Sequence, residues 1–168
     1  MKEKFILLSI LLASILDVLA QNEIKSFCIN DSVEIFLEQT LFDKNSKIFL
    51  NKEGHTILIN DELVYGTDGL NPTNKLSSAI LNINGLNINL ETTGMFDPFL
   101  NMINKEDIVF KQNYSGYVIR ISFSVGAGSY IAEWIIILNK SFLTIVTSNQ
   151  KSFPYFMQKI PNGWDPEP

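Results

Sequence analysis

The sequence predicts an α+β domain: an N-terminal amphipathic helix packed on an antiparallel β-meander of about seven to eight strands, as an open curved sheet or a partial barrel. Three observations predict it. One early stretch, "DSVEIFLEQTLF", carries a helical period. The chain beyond it switches to period two. Turn dipeptides then recur at hairpin spacing, as at Asn84-Gly85.

The first segment is an export signal by layout. Lys2 and Lys4 precede an apolar run from Phe5 to Leu16, and Ala20 supplies a small residue at the expected cleavage point before Gln21. A spanning helix needs about 20 apolar residues, and Asp17 ends this run early. Residues 1–20 are therefore expected to be a secretory signal peptide, with no stable membrane span left after its removal. The protein is expected to be exported, periplasmic or secreted. Residues 21–168 are expected to form a single globular domain, with 151–168 as an irregular C-terminal strap. A formal net charge of −5 with scattered bases argues against a nucleic-acid partner. The one cysteine, Cys28, excludes a disulfide framework within the chain.

In the helical stretch, Val33, Phe36, Leu37, Thr40 and Leu41 fall on one helical face. Asp31 is placed as an N-cap, and Glu34 stands at capping-box spacing from it. The segment from Asp43 to Asn45 is expected to end the helix.

From residue 55 onward period two governs the pattern. Residues 55–66 form a short hairpin turning at Asn60-Asp61, and "GTDGLNPTN" is a loop by composition. Asn84-Gly85 suits a two-residue turn in which both central residues take positive φ. That turn pairs Ile83 with Leu86, Leu81 with Ile88 and Ala79 with Leu90, and leaves Asn82, Asn87 and Asn89 on the other face. Residues 92–107 are a connection carrying Phe96 and Phe99 about Asp97-Pro98, with one helical turn expected over 98–103. Four further strands are expected, at 107–111, 117–125, 129–138 and 141–147.

The acid in the middle of "SYIAEWIIIL" is the sharpest single question. A two-residue loop at Gly126-Ala127 sets Glu133 across from Arg120, the sole arginine. A loop at Asn139-Lys140 sets Glu133 across from Val146. One face of these strands collects Ile119, Ile121, Trp134, Ile136, Leu143 and Ile145. The opposite face carries a polar island of Arg120, Glu133, Ser122, Ser124 and Thr144 among apolar neighbours. A slip of one residue would put Arg120 among the core residues, so burial favours the even loop.

Catalytic signatures are lacking. His55 is the only histidine, and no serine or cysteine lies in a strand–turn–helix elbow around it. "VGAGS" leads from strand to strand, which a dinucleotide loop does not do. A calcium site from Asp61, Glu62 and Asp68 lacks EF-hand spacing, and Glu133 with Glu91 or with Asp97 are the carboxylate pairs to consider. No cofactor and no metal are implied. The leading expectation is an exported, non-enzymatic binding protein, either of a periplasmic inhibitor or immunity type or a small ligand-binding module. Its partner would be another exported protein or a small ligand, met by Arg120, Glu133, Ser122, Ser124, Thr144, Phe96 and Phe99. The alternatives are an envelope structural or assembly protein and a carboxylate-based hydrolase.

Overall fold

Alternation, not the helical stripe, governs residues 33–41. In the computed structural model, which describes residues 22–113, 115–123 and 126–157, this stretch is a strand, β2 (Val33–Leu41). Val33, Ile35 and Leu37 point into the core, and Glu34, Phe36 and Glu38 lie on the other side. The expected N-terminal helix is therefore replaced by a β-hairpin, and the chain is mostly β. Ile35 marks the error. The helical stripe left it aside, yet it is fully buried at 0% exposure. An unanticipated strand, β1 (Glu23–Asn30), pairs antiparallel with β2 across a turn at Asp31-Ser32. Asn30 Oδ1 accepts the Ser32 N–H, so an Asx turn stands where an N-cap was expected. Asn and Asp favour both features because each presents a side-chain oxygen to nearby backbone N–H groups. The expected signal segment, Ser124 and the expected strap from residue 158 onward lie outside the described residues.

The described residues form eleven strands in three antiparallel sheets. The first sheet has the order β1-β2-β6-β7, where β6 is Asn74–Ile83 and β7 is Leu86–Leu90. The β6–β7 hairpin has the expected register, with Ala79 opposite Leu90, Leu81 opposite Ile88 and Ile83 opposite Leu86. Asn84 and Gly85 both have positive φ, at 51° and 85°.

The second sheet, β11-β10-β9-β8, is a meander of β8 (Ile108–Asn113), β9 (Gly116–Phe123), β10 (Tyr130–Ile137) and β11 (Lys140–Thr147). The two sheets share one core. Ile35, Leu37, Leu81 and Ile88 of the first pack in one cluster with Ile119, Ile121, Trp134 and Ile136 of the second. The architecture is thus a two-layer sandwich, not a single open or curled sheet. Each inward side chain of this size contributes about 1.5–3 kcal/mol by leaving water.

Hydrogen bonds clasp both margins of the sandwich. Lys25 of β1 donates to the Leu100 and Ile103 carbonyls at 3.0 and 2.6 Å, tying that edge to the connection before β8. Ser141 of β11 donates to the Asn89 carbonyl at 2.6 Å, and Trp134 Nε1 to the Glu91 carbonyl at 2.8 Å. These bonds tie the outer strands of each sheet to neighbouring segments of the chain.

The stretch between β2 and β6 forms a third, small sheet of β3 (Ile48–Leu50), β4 (Thr56–Ile59) and β5 (Glu62–Leu63). Its turn falls at Asn60-Asp61 as expected, both with positive φ. A satellite core of Phe42, Ile59 and Phe96 lies beneath it. The C-terminal segment runs through a 3-10 turn at Gln150–Ser152 into one short helix, α1 (Phe153–Met157). Among the described residues no helix is long and apolar enough to cross a membrane.

Candidate functional site

Glu133 has its partner. Strands β9 and β10 pair in the expected register, which sets Glu133 opposite Arg120. Arg120 Nε donates to Glu133 Oε2 at 2.5 Å, and the side chains are 16% and 9% exposed. The other side of the carboxylate is met by Thr144, whose hydroxyl donates to Glu133 Oε1 at 2.8 Å.

Thr144 arrives there through a register shift. The β10–β11 turn is Leu138-Asn139, with φ of 49° and 61°, not Asn139-Lys140. Trp134 faces Leu143, but the next residue back, Glu133, faces Ile145, so Thr144 is the extra residue of a β-bulge. Bulges re-aim side chains, and here the bulge turns a hydroxyl onto the acid. It also exchanges two neighbours. Val146, expected across from Glu133, lies opposite Ala132 and packs on the core.

A second nitrogen of Arg120 is engaged as well. Its Nη1 donates to the Phe156 carbonyl of α1 at 2.9 Å, and the guanidinium lies 5.6 Å from the Phe156 ring centroid. The pair is thus a clasp that holds the C-terminal helix against β9. Ser122 shares this face and is buried at 6%; Ser124 lies outside the described residues.

Phe96 and Phe99 are not brought to this island. Phe96 is buried edge-on against Phe42, with ring centroids 5.8 Å apart. Phe99 is 36% exposed and precedes the 3-10 turn Leu100–Met102. Nor, among the described residues, does Glu133 meet another acid. Asp97 is held instead at the start of β6, and its charge acts on Tyr130.

Asp97 is a second buried acid with a different role. Its Oδ1 accepts the N–H groups of Thr73 and Asn74 at 2.9 and 2.8 Å, which anchors the start of β6. Burial pushes its carboxyl above the usual range, and the two backbone bonds pull it back in part. The folded chain therefore takes up this proton at higher pH than the unfolded chain does. Stability contributed by protonating Asp97 is full below the unfolded pKa and is lost as pH rises through the folded one. Asn at this position keeps the accepting oxygen and removes the charge. Urea unfolding of wild type and Asp97→Asn between about pH 4 and pH 7 should show the variant losing ground to wild type as pH falls. A difference independent of pH would refute this assignment.

The sequence reading missed a recess of about 310 Å³ where the small sheet meets the second sheet. Its walls include His55, Gly66, Thr67, Asp68, Gly128 and Ser148. The wall at 66–69 is set by positive φ at Gly66, Asp68 and Gly69. It is held by the bond from Thr56 N–H to the Gly69 carbonyl and by the Thr56 hydroxyl donating to Asn71. The facing turn at 126–128 is held by Ser129 and Gln150, which both donate to the Gly126 carbonyl.

The two walls touch through backbone. A methyl group at Gly128 would lie 2.6 Å from the Gly66 carbonyl oxygen. Behind Gly66 lies the ring of Tyr130, whose hydroxyl is buried and, among the described residues, has no hydrogen-bond partner. Burial, and secondarily the charge of Asp97, push this phenol well above its ordinary pKa, so it stays protonated. Among the described residues the side chains of Thr67, Asp68 and Ser148 also make no hydrogen bond. His55 Nδ1 lies 3.7 Å from Glu53 on the exposed side. "GTDG", residues 66–69, was the available signal, since glycine-flanked Asp tolerates left-handed backbone. Its facing wall comes from residues about 60–80 positions later, which no local pattern connects.

Among the described residues no group of three or more His, Cys, Asp or Glu side chains could hold a metal ion. No protein-family model, curated protein or solved structure matches this chain.

Proposed function

We propose that this chain is an exported binding protein that receives its ligand in the recess between the 66–69 loop and the 126–128 turn. The observation that carries the reading is the set of unengaged polar side chains, Thr67, Asp68 and Ser148, on walls whose backbones are fixed against each other. Polar groups in a preformed concavity cost little reorganisation when a ligand arrives, and this is how small-molecule sites obtain orientation. The Arg120–Glu133 island is a weaker candidate for recognition. Its Nε and Nη1 donors are engaged by the acid and by α1, so a partner would have to displace contacts the fold already uses.

The test is to fill the recess. Ala127 is exposed on its wall, so Ala127→Trp occupies the space without disturbing the core. Saturation-transfer NMR on pools of water-soluble compounds of metabolite size should give binders for the full wild-type chain. Those signals should be lost in Ala127→Trp. Equal signals from both proteins, or no binder in any pool, would refute the reading.

A further inference from the structure

We infer that the recess takes a neutral, polyhydroxylated ligand of about one sugar ring, with Asp68 accepting from its hydroxyls. This rests on the proposed binding role and names the ligand class for the same site. The chemistry of the walls selects it. Thr67 and Ser148 each offer one donor and two lone pairs, whereas Asp68 can only accept. The occupant must therefore both donate and accept around a small perimeter, as vicinal hydroxyls do.

Other classes fit less well. No Lys or Arg lines the recess and the chain carries −5, so an anion would meet Asp68 with no compensating charge. An apolar ligand would desolvate Thr67, Asp68 and Ser148 without giving them bonds. His55 and Asp68 are too few side-chain ligands for a resident metal ion. A quaternary ammonium would satisfy Asp68 but could donate nothing to the two hydroxyls. A volume of about 310 Å³ holds one ring and not a chain of them.

The experiment is an amide-resolved NMR titration of the full chain with neutral monosaccharides and polyols, each up to about 50 mM. Tetramethylammonium and inorganic phosphate serve as comparison probes. At least one neutral sugar or polyol should give saturable shifts at the Gly66, Thr67 and Gly128 amides. Asp68→Asn suits the left-handed backbone at this position, where φ is 48°. It should weaken that binding about tenfold, the scale of one charge-assisted hydrogen bond, while amides outside the loop stay unshifted.

No saturable sugar shift, shifts elsewhere on the surface, or an unchanged affinity in Asp68→Asn would overturn the inference. If tetramethylammonium or phosphate shifts these amides and no sugar does, the ligand class falls and the recess stands as a site. If no probe shifts them, both fall.

Discussion

Arg120→Met should destabilise the protein by about 3 kcal/mol, far beyond the effect of losing a surface ion pair. The change leaves Glu133 charged, 9% exposed and held by Thr144 alone. It also frees the Phe156 carbonyl and removes the cation from that ring. Glu133→Gln should cost less, about 1–2 kcal/mol, because the amide oxygen can still accept from Arg120 Nε. Combined, the two changes should cost at least about 1 kcal/mol less than the sum of the singles, since each removes the other's reason to be expensive. Denaturant unfolding of all four proteins measures the coupling, and additivity within about 0.5 kcal/mol would refute the clasp. Helix α1 supplies a second readout. Tyr155 is 80% exposed beside Phe156, so chymotrypsin should cut there faster in Arg120→Met under native conditions.

Gly66→Ala should be the other large effect, costing about 3 kcal/mol or more. The φ of Gly66 is 101°, a region L side chains rarely enter. A methyl group there would also overlap the Phe96 carbonyl oxygen and lie 2.9 Å from Tyr130 Cε1. Neither neighbour yields easily. Phe96 N–H donates to the Tyr65 carbonyl, and the Tyr130 ring stacks on Phe123 with centroids 4.8 Å apart. The strain should reach the recess, because Gly66 and Gly128 meet through backbone. Thermal unfolding and the Gly128 amide shift report the two consequences together. A variant as stable as wild type, with that amide unmoved, would show that the loop is softer than its contacts imply.

The recess and the clasp differ in how far they could be read from the residues alone. Glu133 facing Arg120 was legible because side-chain alternation and burial fix the register once both strands are recognised, although a 3-10 turn at Gly126–Gly128 stands where the two-residue loop was expected. What answers the acid fully was not legible. Thr144 reaches it through a bulge, and bulges leave no mark in a period-two pattern. The Phe156 carbonyl reaches Arg120 from a segment without useful periodicity. Phe96, expected as an exposed anchor, is buried because the 42–64 stretch folds over it.

By itself the sequence determined the local pairings: the Asn84-Gly85 hairpin, the turn at Asn60-Asp61, and the β8 to β11 meander with its acid–arginine register. The two hairpins depend on neighbours a few residues apart, where turn chemistry with face alternation specifies them; the meander was legible from alternation and burial, since neither of its last two turns is the expected two-residue loop. Tertiary structure alone decided that residues 33–41 are a strand. Val33 and Leu37 satisfy both a helical stripe and an alternating face, so the period could not arbitrate. The presence of β1 and β6 on either side could, by pairing that stretch along both of its edges and burying Ile35. The recess is likewise a tertiary product, since Thr67 and Asp68 meet Ser148 only when the small sheet packs beside the second one.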